Sequence, residues 1–297
     1  MDLTDRTTFL TLVRTDQDSA RAKLLVESLR EFGGPLAESE VWVFVPDPAR
    51  SPWTGPVDEV TDVHELSVPE VLRDYPFSEK VCACAQAERM AAGTAGSLVW
   101  MSPDTLVVGP PVLYELGLSH DAAFRPVHIR NIGLPADAPL DRFWSRVCNA
   151  AWMSDIDQLV ESFVDGHAIR AYFNSHSCSV NPTLGLFTAW REGFEELVAD
   201  SEFQEGACGD ELHRVFLHQA VLSALVVKSV LPGRLRILPA EYSYPYNLQS
   251  SVPEARRAKY LDDLVTVVHE GLSVDPDDLD GIGVREPLRS WLTAHTR

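Results

Sequence analysis

The sequence has little positive charge and lacks long apolar runs. Its 297 residues carry 25 Lys and Arg against 44 Asp and Glu, for a net charge of −19, which disfavours nucleic-acid and anionic membrane partners. No apolar run approaches the roughly 20 residues that span a bilayer. Residues 1–8 are polar, without the basic leader and apolar core of a signal peptide. We therefore expect a cytoplasmic protein with no membrane span and no nucleic-acid partner.

Cysteine is also scarce, with five residues at positions 82, 84, 148, 178 and 208. An odd number, spread over a long chain, indicates free thiols rather than a disulfide framework. Cys82 and Cys84 resemble a possible metal pair, but positions two apart on a helix point to different faces. We expect both to be buried small hydrophobic residues.

Short apolar runs alternate with helical patterns along the chain. Residues 9–13 and 41–45 have the composition of strands, and residues 19–32 between them have helical spacing that stops at Gly33. A strand, a helix and a strand in this order favour a parallel pair with a right-handed crossover. The fold class predicted for residues 1–297 is α/β, as one Rossmann-like domain with a mainly parallel central sheet.

A buried strand at residues 98–101 is the predicted centre of the sheet. Pro103 cannot donate to a sheet ladder, so the strand should stop at Met101 and present residues 102–105 at its carboxyl end. Open α/β sheets bind ligands at that end, although an ordinary Pro-Asp turn is an equally simple interpretation. We expect the strands that end at Val13, Val45 and Met101 to be close neighbours.

The remaining pattern adds several weaker expectations. Residues 46–77 form a connection with six prolines (Pro46, Pro48, Pro52, Pro56, Pro69 and Pro76) and a short strand at 60–66. Residues 174–182 are too hydrophilic for a core strand. The other predicted strands are 122–129, 169–173, 235–239 and 264–268, and the predicted helices are 80–92, one through 143–147, one through 156–163, 183–198, 211–228 capped by Asp210, and 286 to the end.

Four polar clusters follow predicted strands: Thr15-Asp16, Ser102 to Asp104, Asn174-Ser175 and His269. Asp104 and His269 both stand at exits from apolar strands, and a carboxylate with an imidazole suits a divalent ion. A structural histidine with satisfied hydrogen bonds is the alternative for His269. Lys80 falls in the first turn of a predicted helix, where a solvated lysine is the alternative to a ligand contact.

The order of these clusters resembles the nucleotide-sugar glycosyltransferases of the A-type fold, most closely glycosyltransferase family eight. The matches run in order between residues 8 and 272. Residues 100–108 (WMSPDTLVV) resemble that family's Asp-x-Asp motif, 172–175 (YFNS) its Phe-Asn-Ser-Gly segment, 216–222 (FLHQAVL) its Asp-Gln helix start, 238–242 (LPAEY) its Leu-Pro loop, and 267–271 (VVHEG) its late metal-binding histidine.

The departures from that pattern concern the metal. Ser102 stands in place of the first aspartate, His218 in place of a frequent aspartate, and His176 in place of a glycine, and no Lys-Pro-Trp follows His269. The resemblance implies a metal held by two aspartates and the histidine, which leaves Asp104 and His269. Because Ser102 is a poor substitute for a carboxylate, we expect Mg²⁺ or Mn²⁺ to bind weakly, to be recruited by the phosphates, or to be absent.

The resemblance also implies a role for each half of the chain and for individual residues. Residues 8–110 would bind the nucleotide, 120–272 the acceptor, and 283–297 would form a C-terminal helix. The residues implied for each role are Val13, Thr15 and Asp16 beside the base and ribose; Lys80, Ser102 and Asp104 beside the diphosphate; Asn174, Ser175 and Gln219 in the catalytic pocket for donor sugar and acceptor; and Asp104 with His269 on the metal.

The implied reaction moves a sugar, with retention, from a nucleoside-diphosphate donor such as a UDP-sugar to an acceptor that the sequence does not identify. Its physical requirement is neutralisation of the charge that builds on the departing diphosphate. The alternative is a non-catalytic binding or partner protein that kept the scaffold after losing a metal ligand, and a metal-independent transferase lies between the two. The sequence predicts no oligomeric state.

Overall fold

The computed structural model describes residues 6–47, 52–57 and 59–296. Pro48 of the proline-rich connection lies outside the described residues, as do residues 1–5 and 297 of the predicted domain. The helices are α1 (Asp16–Phe32), α2 (Ser78–Ala91), α3 (Arg142–Ala150), α4 (Leu186–Ala199), α5 (Ser201–Glu205), α6 (Glu211–Ser229) and α7 (Leu288–His295). The strands are β1 (Thr7–Leu12), β2 (Glu40–Val45), β3 (Thr61–Glu65), β4 (Ser97–Met101), β5 (Thr105–Val107), β6 (Ala122–Phe124), β7 (Leu159–Glu161), β8 (Ala168–Arg170), β9 (Ser177–Val180), β10 (Leu235–Ile237), β11 (Tyr244–Pro245) and β12 (Thr266–Val268).

Seven strands form the central sheet in the order β10-β6-β9-β4-β1-β2-β3. β1 pairs in parallel with β2 on one side and with β4 on the other, which confirms the predicted neighbours. β9 is antiparallel to both β4 and β6, while the remaining pairs are parallel. The protein is therefore α/β with a mainly parallel central sheet, as predicted, and this sheet is compatible with a Rossmann-like fold.

Alternate residues of each central strand enter two different apolar cores. Leu10 of β1 and Trp100 of β4 pack in the core that contains α2, α4 and α6. Phe9 and Val99 point to the opposite face, which α1 covers. This alternation follows from the period of two along a strand, and burial of both faces explains why these strands are apolar throughout.

β9 corrects the prediction that residues 174–182 are too hydrophilic for a core strand. All four of its residues are buried. Its serine hydroxyls are paired, since Ser177 Oγ lies 2.6 Å from Tyr114 Oη and Ser179 Oγ donates to Tyr114 O at 2.7 Å. A buried hydroxyl is tolerated when it is hydrogen-bonded, so the polarity of this segment did not exclude the core.

The helix predicted through residues 156–163 is also wrong. β7 and β8 pair as an antiparallel hairpin there, with Val160 opposite Ile169. The turn contains Asp165 and Gly166, and Gly166 has φ +65°, a left-handed conformation that glycine adopts without strain. The predicted strand at 169–173 is correspondingly β8, and the strand predicted at 122–129 is only β6. Beyond these two strands, Pro126 and Phe173 form an isolated antiparallel bridge.

A second, three-stranded sheet has the order β11-β12-β5. β12 runs antiparallel to β5, with Val268 opposite Thr105. This pairing carries the chain after β12 back to the end of β4, so His269 N donates to Asp104 O at 3.0 Å. Apolar residues of this sheet and of α7 form a third core.

The remaining predictions concern thiols and membranes. All five cysteines are free and buried, which confirms the prediction of reduced thiols and of buried Cys82 and Cys84. Within the described ranges, no helix combines the length and the apolar character that crossing a membrane requires.

Candidate functional site

A cleft of about 350 Å³, here called the main cleft, lies at the carboxyl ends of β1 and β4. Its walls come from the end of β1, the N-terminal halves of α1 and α6, the first turn of α2, the segments that follow β4 and precede β9, and Glu270. Five of the predicted site residues line it: Lys80, Ser102, Asp104, Ser175 and Gln219. The fold thus gathers residues from four distant segments at the edge of the sheet where α/β proteins bind ligands.

The residues predicted beside the base and ribose lie around the start of α1. Val13 is fully buried, and its N–H donates to Phe44 O. Thr15 caps α1, because its Oγ1 accepts from Asp18 N at 3.1 Å, and Asp16 is exposed in the first turn. The side chains of this segment that line the main cleft are Arg14, Asp18 and Arg21, so the roles of Val13, Thr15 and Asp16 remain predictions.

Lys80 is buried at 8% exposure, so the alternative of a solvated lysine is wrong. Its Nζ donates to Ser175 Oγ at 2.9 Å and to His218 Nε2 at 2.9 Å. Both partners are neutral, and burial is the main reason that the pKa of Lys80 falls to about 7. Lys80 therefore lies in the wall of the cleft, and its amine gains or loses a proton near neutral pH.

His218 is held in one tautomer. Its Nδ1 lies 2.9 Å from Val215 O, which only a protonated nitrogen can satisfy, so Nε2 is the acceptor for Lys80. Burial holds the pKa of His218 well below its ordinary value. Ser175 Oγ lies 3.0 Å from the same Nε2 and donates to Gln219 Oε1 at 3.1 Å. Lys80, Ser175, His218 and Gln219 therefore form one buried hydrogen-bonded group.

Phe77 closes the outer side of this group. Its ring stacks on the His218 ring at 4.3 Å between centroids, and Lys80 Nζ lies 4.6 Å from the Phe77 centroid. Phe77 has φ +62°, which is unfavourable for a bulky residue. In this backbone conformation the Phe77 ring contacts both the Lys80 ammonium and the His218 imidazole.

A second cleft of about 210 Å³, here called the side cleft, lies next to the main one. Asn174 lines it, and Gln219 lines both. Between the clefts, His176 Nδ1 lies 2.8 Å from Asn174 Oδ1 and its Nε2 lies 2.9 Å from Glu270 Oε1. The hydrogen bond from His176 is the main cause that lowers the pKa of Glu270. The predicted residues Asn174, Ser175 and Gln219 are thus divided between two adjoining spaces.

Asp104 is paired with a residue that the sequence pattern did not single out. Arg21 Nη1 lies 2.9 Å from Asp104 Oδ1. The contact is an ion pair without hydrogen-bond alignment, since Asp104 Oδ1 has no hydrogen-bond partner among the described residues. The guanidinium also rests against Gly271, and its charge lowers the pKa of His269, after the larger effect of burial. Arg21 therefore stands between the Asp104 and His269 segments.

These residues do not fit the divalent cation that the resemblance implies. Gly271 N donates to His269 Nδ1 at 3.3 Å, which favours the tautomer with the ring proton on Nε2, where no lone pair is available to a metal. His269 Nε2 is buried without a hydrogen-bond partner among the described residues. No cluster of three or more His, Cys, Asp or Glu suited to a metal occurs in the described part of the chain. A dication on Asp104 would also meet the charge of Arg21. The metal role of Asp104 and His269 remains a prediction that this geometry disfavours.

Sequence reasoning missed Arg14, Arg21, Phe77 and Glu270 as cleft residues. Asp18 and Arg21 are three residues apart, which is the spacing of one helix face, and Arg14 directly precedes Thr15, the N-cap of that helix. A helix that follows a strand of a parallel sheet begins at the ligand-binding edge. That combination was the available signal for Arg14 and Arg21, whereas nothing local to the sequence indicated Phe77 or Glu270.

No protein-family model fits the chain, and no curated protein sequence is significantly similar to it.

Proposed function

We propose that the protein is a glycosyltransferase that transfers a sugar from a nucleoside-diphosphate donor, with retention at the anomeric carbon. One observation carries the proposal. Residues expected at the diphosphate (Lys80, Ser102 and Asp104) and at the reacting sugar (Ser175 and Gln219) line one cleft at the carboxyl edge of the sheet. They come from four segments of the chain, so their meeting is a property of the fold.

The main cleft carries groups suited to a diphosphate. Arg14, Arg21 and Lys80 line it, together with the carboxylates of Asp18, Glu79, Asp104 and Glu270. Arginine and lysine are the usual partners of phosphate oxygens. The first turn of α2 also lines the cleft and has no side-chain cap, so its backbone N–H groups add the positive end of the helix dipole. A volume of about 350 Å³ is within the range of small-ligand pockets.

The two adjoining clefts suit the two substrates. The main cleft would hold the donor diphosphate and sugar, and the side cleft, lined by Asn174, would admit the acceptor. In the reaction the bond between the anomeric carbon and the diphosphate oxygen breaks, and its electron pair leaves with the diphosphate. The acceptor hydroxyl oxygen bonds to the same carbon and its proton passes to the departing phosphate. Gln219, which lines both clefts, would stand beside the reacting carbon.

A non-catalytic binding protein is the second candidate. It is favoured by His218, which stands where the resembled family often has an aspartate and whose Nε2 is occupied by Lys80. The two candidates share the donor site and differ in turnover. A binding protein would hold the donor without consuming it.

The test is a panel of UDP- and GDP-sugars measured by calorimetry and then by release of free nucleoside diphosphate. We expect at least one donor to bind, and Gln219→Ala to lower turnover by about tenfold or more with a smaller effect on binding. Lys228→Ala, at the far end of α6, is the matched control. Tight binding without turnover by the wild type would favour the binding protein, and no binding of any donor would contradict both candidates.

A further inference from the structure

Arg21 occupies the place between the two segments that the resemblance assigns to a metal. Its guanidinium lies 2.9 Å from Asp104 and against Gly271, two residues after His269. We propose that the Arg21 guanidinium replaces a divalent cation, so that the protein binds the diphosphate of its donor without metal. This inference rests on the proposed function, because it concerns the same cleft.

The local charge balance supports the exchange. A divalent cation between two carboxylates gives a net charge of zero, and so does one guanidinium beside one carboxylate. Ser102 supplies no charge where the second carboxylate was expected, and Arg21 supplies one positive charge where a metal would supply two. The missing carboxylate lowers the negative charge by one, and a guanidinium in place of a dication lowers the positive charge by one. The charge of Asp104 is therefore neutralised in either arrangement.

The contact geometry leaves Arg21 able to bind a ligand. The guanidinium has five N–H donors in a planar fork, and its contact with Asp104 is an ion pair that lacks hydrogen-bond alignment. The side chains of Arg21 and Asp104 remain 22% and 20% exposed, and both line the main cleft. Guanidinium N–H groups bind phosphate oxygens in pairs, which is the contact a diphosphate would take up here.

Gly271 makes room for this arrangement. It has φ +79°, and a Cβ added there would collide with the Arg21 guanidinium. The glycine therefore serves two purposes, the left-handed turn after β12 and the close approach of Arg21 to the backbone. The turn after β12 therefore leaves space for the Arg21 guanidinium.

The test is calorimetry with UDP, GDP and inorganic pyrophosphate, each in EDTA and in Mn²⁺. We expect the wild type to bind in EDTA with an affinity within about threefold of that in Mn²⁺, and Arg21→Ala to weaken binding in EDTA by about tenfold or more. Arg21→Lys, which keeps the charge without the planar fork, should fall between. Lys23→Ala removes the same charge from the same helix, at a side chain that is 46% exposed and paired with Glu27, and should bind as the wild type does.

A double variant tests the exchange directly. Ser102→Asp with Arg21→Ala provides a second carboxylate and removes the guanidinium, so Mn²⁺ should tighten pyrophosphate binding by about tenfold, because a hard cation gains from anionic oxygen ligands. Wild-type binding that is lost in EDTA and restored by Mn²⁺ would overturn the inference and leave the proposed function intact. Arg21→Ala that binds like the wild type in EDTA would do the same. No binding of any probe by the wild type in either condition would overturn both.

Discussion

Burial changes the chemistry of Lys80 strongly in the candidate site. Its Nζ is surrounded by Ser175 and His218, and burial lowers its pKa from 10.5 to about 7. A nearby anion favours the protonated amine and so raises this pKa. A diphosphate in the main cleft would therefore bind together with a proton at neutral pH.

Lys80→Met should separate stability from binding. The substitution keeps the length of the side chain and removes a buried amine that the fold tolerates poorly. The one hydroxyl proton of Ser175, which bonds Gln219 Oε1 at 3.1 Å, can turn to His218 Nε2 at 3.0 Å. We expect the free energy of unfolding at pH 7 to be no lower than that of the wild type, and pyrophosphate affinity to fall by about tenfold. Urea unfolding and calorimetry measure the two quantities. A variant that unfolds more easily, with unchanged affinity, would show that Lys80 is structural.

The free energy of unfolding should depend on pH through the titration of Lys80. The unfolded chain keeps the proton up to pH 10.5, whereas the folded chain loses it near pH 7. Between these values the unfolded state binds more protons, so the free energy of unfolding rises with pH and the gain is lost as pH falls to about 7.

Of the titratable groups around Lys80, burial raises the pKa of Cys84 and Cys178 and lowers that of His218, so none of these three titrates between pH 7 and 9. We expect the wild type to gain stability relative to Lys80→Met between these two pH values in urea unfolding. Parallel profiles for the two proteins would contradict the assignment. Affinity for pyrophosphate should fall over the same interval, as Lys80 loses its charge.

At the scale of secondary structure, the start of α1 has two candidate roles. Thr15 Oγ1 accepts the N–H of Asp18, and Arg14 N–H donates to Asp18 Oδ2 at 3.2 Å. These bonds fix the turn from β1 into the cleft wall. Thr15 is also one of the residues that the resemblance places beside the ribose.

Thr15→Ala and Thr15→Ser distinguish these roles. Loss of the cap in Thr15→Ala should lower the free energy of unfolding by about 1 kcal/mol, and Thr15→Ser should restore it because serine caps equally well. Urea unfolding measures this effect, and calorimetry with UDP measures the second role. Affinity unchanged in both variants would leave Thr15 with the capping role alone.

The polar residues of β9 led to the wrong prediction that this segment is not a core strand. Its serines are paired with Tyr114, which is fully buried. Tyr114→Phe removes the hydroxyl that lies 2.6 Å from Ser177 Oγ and should lower the free energy of unfolding by about 1 kcal/mol. Tyr260→Phe, at a side chain that is 40% exposed, is the control and should change it by less than about 0.5 kcal/mol. Equal effects would show that the pairing adds no stability.

At the scale of the whole molecule, the net charge of −19 opposes the approach of an anionic donor. The cations of the main cleft act only at short range. Long-range repulsion slows association and is screened by salt over about 8 Å at physiological ionic strength.

The association rate of UDP should therefore rise as NaCl increases from about 10 to about 150 mM, by roughly twofold or more. Stopped-flow fluorescence, which seven tryptophans make feasible, measures the rate. Uridine, which carries no charge, is the control and should show no such dependence. A rate for UDP that falls with salt would mean that the local cations govern the approach.

Much of the sheet was predictable because its strands are apolar runs with clear ends. β1, β2 and β4, the start of α6 at Asp210 and the free cysteines follow from patterns within a few residues. Where local patterns admitted two structures, prediction failed. The apolar residues 156–163 suit a helix or a hairpin, and the choice depends on the pairing of Val160 with Ile169. The serines of β9 enter the core because Tyr114, 63 residues from Ser177, supplies their hydrogen bonds.

The sequence by itself determined the fold class and the candidate residues that directly follow apolar strands, since strand period, proline and glycine act locally. Only the tertiary structure decided which side chains meet. It paired Asp104 with Arg21 across 83 residues (104 − 21), buried Lys80 against Ser175 and His218, and set Gly271 against the guanidinium. These contacts fix charge and protonation in the cleft, because both depend on distances between groups that are far apart in the chain.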